Sequence, residues 1–357
     1  MEKLKTFYKG KKVLVTGHTG FKGSWLSIWL HELGAEVVGV GLDPYTDRDN
    51  FVLSGIGKKI KADIRADIRD GAKMKEIFAE YKPDIVFHLA AQPLVRLSYE
   101  MPIETYETNV MGSINIMEAI RETDGVKVAV MITTDKCYEN KEQIWGYREN
   151  DAMGGYDPYS SSKGAAEIAI ASWRNSYFNP VEYAKHGKSI ASVRAGNVIG
   201  GGDWSKDRII PDCIKAIENN EPIVIRSPNA TRPWQHVLEP LSGYLILAHK
   251  MWENPTRFCS GWNFGPDYDG IVTVSDIVNA LMVDKFKTDI HYLSNSPSLH
   301  EASLLTLDIT KAKTLLGWSP KLSVNECMDY VREWYNSYKS EDVYTLCQKQ
   351  IERYSNK

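Results

Sequence analysis

The string Gly17-His18-Thr19-Gly20-Phe21-Lys22-Gly23 lies between a short apolar strand pattern, Lys12-Val13-Leu14-Val15-Thr16, and a helical pattern over residues 22–33. This strand–turn–helix context constrains the fold more than any other feature. Its glycines let backbone approach a pyrophosphate, and the helix start offers unpaired N–H groups and a positive dipole end. The spacing is G-x-x-G-x-x-G, and glycines alone fit an ordinary tight turn. In this context they predict a dinucleotide site built from Gly17, His18, Gly20, Phe21, Lys22 and Gly23. His18 and Lys22 are unusual in such a turn. Lys22 either touches a phosphate or is a solvated lysine at a helix start.

Further along, strand patterns at 36–40, 84–89, 126–133 and 188–194 alternate with helical ones at 73–81, 102–121 and 159–176. Short apolar strands alternating with amphipathic helices predict an α/β, doubly wound parallel sheet of the Rossmann type. The pattern loosens after Asn197, where Gly200-Gly201-Gly202-Asp203 forms a flexible turn, and returns as a helix over 241–251. The expected organisation is a dinucleotide-binding domain over 1–193 with a returning segment near 233–262. Residues 194–232 and 263–357 would then form a smaller, interleaved α/β substrate lobe.

Of the 357 residues 43% are hydrophobic, enough for a large core, and the formal net charge is -3. That charge gives no case for binding nucleic acid or an anionic membrane. No apolar run approaches the roughly 18 residues of a membrane span, and the first residues lack the apolar stretch of a signal peptide. Five scattered cysteines without a Cys-x-x-Cys suggest neither a disulfide framework nor a metal site. A reducing, cytoplasmic location is the expectation.

Two further strings carry chemistry. Tyr159 and Lys163 are four apart at a helix start and share a face. An ammonium beside the phenol favours phenolate, a base able to take a hydroxyl proton while hydride leaves to nicotinamide. Thr133-Thr134-Asp135-Lys136 ends a predicted strand, at the edge where open α/β sheets bind ligands. Thr134 is placed to hydrogen-bond the reacting oxygen. Asp135, if burial keeps it protonated, is a general acid. Lys136 serves as a base only in its neutral form and otherwise as a cation facing developing charge. Alcohol oxidation needs no such extra groups, so a further step on the substrate is expected. Asp43, 20 residues past Gly23, is either a ribose-binding acid favouring NAD or a turn residue before Pro44. Asp67 and Ile68, after a third strand, are candidates for adenine.

With these residues in place, the chain resembles the extended short-chain dehydrogenase/reductase superfamily, and within it the nucleotide-sugar 4,6-dehydratases. The resemblance rests on Gly17 to Trp25, Thr134-Asp135-Lys136-Cys137-Tyr138, Tyr159 to Lys163, the run from Arg194 to Trp204, and Leu315 to Pro320. It is nearest to the branch acting on CDP-glucose. It implies NAD as cofactor, with Leu89, Ala90, Ala91 and Thr108 added to its site. It also implies Gln92, Asn197, Arg208, Arg232 and His300 as substrate contacts, and a homodimer or homotetramer packed through 104–121 and 159–176. Lys136 replaces the Glu that most such dehydratases use as base at the sugar C5. Gly41 stands where related epimerases carry their ribose-binding Asp, which implies looser NAD binding. The competing reading is a nucleotide-sugar 4-epimerase, which oxidises C4 transiently but needs no acid at position 135.

Overall fold

The computed structural model describes residues 2–283, 286, 288–292 and 304–357. Seven parallel strands form the central sheet: β1 (Lys12–Thr16), β2 (Glu36–Gly41), β3 (Ala62–Arg65), β4 (Ile85–His88), β5 (Val128–Ile132), β6 (Ser189–Ala195) and β7 (Gly261–Phe264). Their order is β7-β6-β5-β4-β1-β2-β3, so the chain reverses direction across the sheet between β1 and β4. Every residue of β5, an unbroken apolar run, and of β6, which also carries Ser192 and Arg194, is buried, as in a sheet covered on both faces.

Alternate strand residues feed two cores. Leu14, Val38 and Val86 face one side, against Phe78, Ile116 and Ile170. Val13, Val15 and Phe87 face the other, against Trp25, Trp29 and Leu241. β7 returns late in the chain and pairs with β6 in parallel. The C-terminal helix Val343–Ser355 packs on the helix Phe21–Glu32, where Tyr344 bonds His31 and Glu32, and Gln348 bonds Glu32.

The long helix expected over 102–121 is broken. Pro102–Tyr106 leads into a π turn, Glu107–Met111, before Gly112–Glu122 resumes. A side-chain insertion explains the break. Asn109 turns inward, donating to Gln92 O at 3.1 Å and Ser162 Oγ at 2.9 Å while accepting from Gln92 N at 2.9 Å.

One buried ion pair ties the sheet to the helix Pro158–Ser176. Glu167 on that helix accepts from Arg194 Nε at 3.0 Å and Nη2 at 2.8 Å, from Ser192 Oγ at 2.7 Å, and from Thr133. Arg194 Nη1 reaches on to Tyr138 Oη at 2.6 Å and Glu149 O at 3.0 Å. Burial alone would raise the Glu167 carboxyl. The charge of Arg194 and these hydrogen bonds outweigh it and hold the group below its usual range. Arg194→Met strands a buried carboxylate, so it should cost about 3–5 kcal/mol in urea unfolding. The double variant with Glu167→Gln should recover part of that loss; an unchanged midpoint in the single variant would show the pair to be dispensable.

Candidate active site

The cleft lies along the carboxyl edge of the sheet, where Gly17 follows β1, Leu89 follows β4, Thr133 follows β5 and Gly196 follows β6. Gly17 has φ +70, and a Cβ there would lie 2.7 Å from Ala90 N; one on Gly23 would lie 2.0 Å from Gly17 O. No side chain fits at either position. A Cβ on Gly20 would meet Gly17 O alone, at 3.4 Å, so Gly20 fronts open space. Gly20 also starts the helix Phe21–Glu32 without a side-chain cap, leaving the first N–H groups for a ligand. A backbone cradle of this shape and polarity fits the diphosphate of NAD. Phe21 lies beside Gly200, closing the turn from the far side.

His18 is not a ligand contact through its side chain. Its ring is fully buried on β2, where a Cβ on Gly39 would strike Cδ2 at 2.2 Å and one on Gly41 would lie 3.3 Å from Nδ1. Nε2 bonds Asp63 Oδ1 at 2.7 Å. Burial lowers the affinity of the ring for a proton, and Asp63 opposes that only in part. A side chain at 41, where related epimerases carry their acid, would be tight against the imidazole and the Thr19 hydroxyl. Asp43 lies two residues past the strand with its side chain 88% exposed, 3.2 Å from Arg65 Nε. Asp67 bonds the backbone and side chain of Arg69. Ile68 is buried over Gly112, and Thr108 is half-buried in the π turn.

The catalytic candidates converge. Asp157 caps the helix Pro158–Ser176 by accepting from Ser160 N at 2.8 Å, and Tyr159 N donates to Ser98 Oγ at 3.1 Å. Thr134 donates to Asp135 Oδ1 at 2.9 Å, and its hydroxyl opposes the rise that burial imposes on the Tyr159 phenol. Asp135 is 1% exposed, its Oδ2 has no partner among the described residues, and a Cβ on Gly196 would lie 1.9 Å from that oxygen. Burial raises the Asp135 carboxyl against the pull of Lys136, Thr134 and Arg232. An orphaned buried carboxylate oxygen is costly as an anion and comfortable as an acid. The expected depression of Tyr159 by Lys163 is not found: burial pushes the phenol up to about 12, with Thr134 opposing. Burial brings the Lys163 ammonium down to about 8. Lys22 comes down to about 7, through burial and then the charges of Lys163 and Arg208.

Arg208 holds Asp203 at 2.8 Å and acts electrostatically on Tyr159 and Lys22. Asn197 adopts φ 39 directly after Gly196. The charge of Arg232 reaches Asp135. Gln92 has its side chain occupied: Nε2 bonds Leu94 O and Thr105 Oγ1, and Oε1 accepts from Leu94 N. It shapes its own loop rather than facing a substrate. His300 lies outside the described residues. Sequence reasoning missed Gly196, Asn109, Ser98 and Arg48. Arg48 stacks 3.6 Å over Trp204 and bonds Glu218 and Tyr338, joining the loop after β2 to the segment bearing Asp203 and Arg208. No sequence signal marks Arg48, whereas the Gly196-Asn197 pair at a strand end was a readable sign of a tight approach.

Fold and cleft together define a dinucleotide-dependent enzyme that oxidises a hydroxyl and carries a separate acid. The chain belongs to the GDP-mannose 4,6 dehydratase family, whose model matches residues 14–331. It is 50% identical over 354 residues to CDP-glucose 4,6-dehydratase of Salmonella typhimurium, covering 98% of each chain. It is 25% identical to dTDP-glucose 4,6-dehydratase 1 of Escherichia coli, covering 91% of this chain and 93% of that one. Among solved structures it resembles MoeE5 in complex with UDP-glucuronic acid and NAD: TM-score 0.75, 25% identity, 91% of this chain and 99% of that one.

Gly196→Ala should push the Asp135 carboxylate aside. The expected result is a fall of about 10² or more in water loss with NAD binding kept. Turnover at the parent rate would show that the close approach is not needed.

Proposed function

We propose that the chain is an NAD-dependent lyase, a nucleotide-sugar 4,6-dehydratase that converts CDP-glucose to CDP-4-keto-6-deoxyglucose and water. The observation that carries this reading over a 4-epimerase is Asp135, buried and acid-shifted beside Tyr159. An epimerase has no water to expel. NAD supplies the hydride acceptor and, in its oxidised form, a positive charge that favours phenolate over phenol. Tyr159 takes the C4 hydroxyl proton, with Thr134 orienting that oxygen and Lys163 supporting the charge. The ketone makes the C5 hydrogen acidic. Lys136 is the candidate group at C5, as neutral base or as cation beside the enolate. Asp135 protonates the departing C6 hydroxyl, and the hydride returns to C6. Arg208, Arg232 and Asn197 hold the nucleotide diphosphate, for which a guanidinium fork suits phosphate oxygens.

The assembly we favour is a homodimer or homotetramer. Ile103, Met111 and Ile168 are apolar, at least half exposed, and lie on the elements over 102–122 and 158–176. The product would feed deoxysugar synthesis for lipopolysaccharide and other surface polysaccharide. Among the described residues no helix is long and apolar enough to cross a membrane.

The test is incubation with NAD and CDP-glucose, UDP-glucose or dTDP-glucose, following the alkaline absorbance of a 4-keto-6-deoxy sugar. CDP-glucose should give the signal; its absence with all three sugars would reject the reading. Tyr159→Phe should cost about 10² to 10⁴ in the oxidation rate, with NAD binding kept. Asp135→Asn should still oxidise C4 while slowing water loss about 10²-fold or more. Deuterium exchange at C5 separates the two steps. Elimination at the parent rate in Asp135→Asn would make the carboxylate structural.

A further inference from the structure

The Asp135 carboxyl lies directly against Gly196. A Cβ on that glycine would fall 1.9 Å from Oδ2, 2.4 Å from Cγ and 3.0 Å from Oδ1. Where Gly196 sits therefore decides where the acid can sit. Gly196 follows the last residue of β6, and Asn197 turns the chain away at φ 39. The ladder of β6 and β7 ends at the pair Ala195 and Phe264. Gly196 O and Phe264 O stand at that end, on residues that are both buried. Buried carbonyls need donors.

Gln235 serves both. Its Nε2 donates to Gly196 O at 3.1 Å and to Phe264 O at 3.0 Å, while its backbone N donates to Asn197 O at 3.3 Å. A carboxamide nitrogen has two hydrogens, one for each carbonyl. Both acceptors are oxygens, so the nitrogen is the atom that faces them. Gln235 pairs in parallel with Val198, two residues past the glycine that its side chain holds. It is 3% exposed, and its Oε1 has no partner among the described residues. Burying a half-satisfied amide is unfavourable, and an apolar side chain of the same shape fills space without that cost. Packing alone does not account for a glutamine here; the two carbonyls do. The same segment carries Arg232, whose charge opposes the rise that burial imposes on Asp135.

We infer that Gln235 is a positioning residue for the dehydration step, which fixes Gly196 against Asp135 and so keeps the acid where it can protonate the departing C6 hydroxyl. Tyr159 and Lys163 are placed by other means, on a helix tied to the sheet through Glu167. Gln235 makes no hydrogen bond to either among the described residues. The two chemical steps therefore separate: losing the amide should slow water loss and spare C4 oxidation. This inference rests on the dehydratase reading and adds a residue to the acid step of that reading.

The experiment mixes NAD-loaded enzyme rapidly with CDP-glucose and follows reduced cofactor for C4 oxidation and the 4-keto-6-deoxy sugar for water loss. Gln235→Met keeps the shape of the side chain and removes both donors. Oxidation should stay near the parent rate, and water loss should fall about 10²-fold, the effect of a small misplacement of a catalytic group. Gln235→Asn, too short to hold both carbonyls, should show the same split and carries the comparison should the methionine variant not fold. Gly196→Ala displaces the same carboxyl, so the double variant with Gln235→Met should lose little more than the worse single one. An equal loss in both steps, no loss in either, or losses that multiply in the double variant would overturn the assignment. Parent enzyme that forms no 4-keto-6-deoxy sugar from CDP-glucose would fail the dehydratase reading itself, and this inference with it.

Discussion

The catalytic geometry depends on the buried pair of Arg194 and Glu167. Thr134 and Asp135 sit at the end of β5, and Tyr159 and Lys163 sit on a helix reached some twenty residues later. Nothing in local sequence sets the distance between them. Glu167 does, because it grips β6 through Arg194 and Ser192 and the end of β5 through Thr133. Desolvating two charges is expensive. Here each is covered by several hydrogen bonds, and the return is a fixed spacing between a proton acceptor and a proton donor.

The same economy appears at the edges of the cleft. The cofactor-side loop after β2 and the substrate-side segment around Asp203 are distant in sequence. The Arg48–Trp204 stack and the Asn50 N–Gly202 O bond of 3.2 Å hold them as one wall. Trp334 lies against Gly201, and Tyr335 Oη donates to Asp203 O at 2.7 Å. The C-terminal helices thereby brace the arginine that faces Tyr159.

Much of this was legible in the sequence. Strand and helix periodicity predicted the parallel sheet, since strands buried on both faces read as unbroken apolar runs. The glycine turn and the strings at 133–136 and 159–163 marked the cleft, because close backbone approach and proton transfer each demand particular residue types. What stayed hidden depended on tertiary placement. A buried ring and a solvated one look alike in a sequence, so His18 read as a ligand contact. Gln92 read as polar and available although its loop uses it. The π turn escaped because Asn109 draws the helix inward only once Gln92 and Ser162 are beside it. The raised phenol of Tyr159 likewise reflects burial, which spacing alone does not convey.

The seat of His18 on two alternate glycines of β2 has an evolutionary consequence. A side chain at 39 collides with the imidazole, and one at 41 is tight against the same ring and the Thr19 hydroxyl. Positions 18, 39 and 41 are therefore epistatic. An acid at 41 requires His18 and Thr19 to yield by a few tenths of an ångström, and removing His18 alone opens a void beside Asp63. A change at 18 therefore alters what positions 39 and 41 can carry.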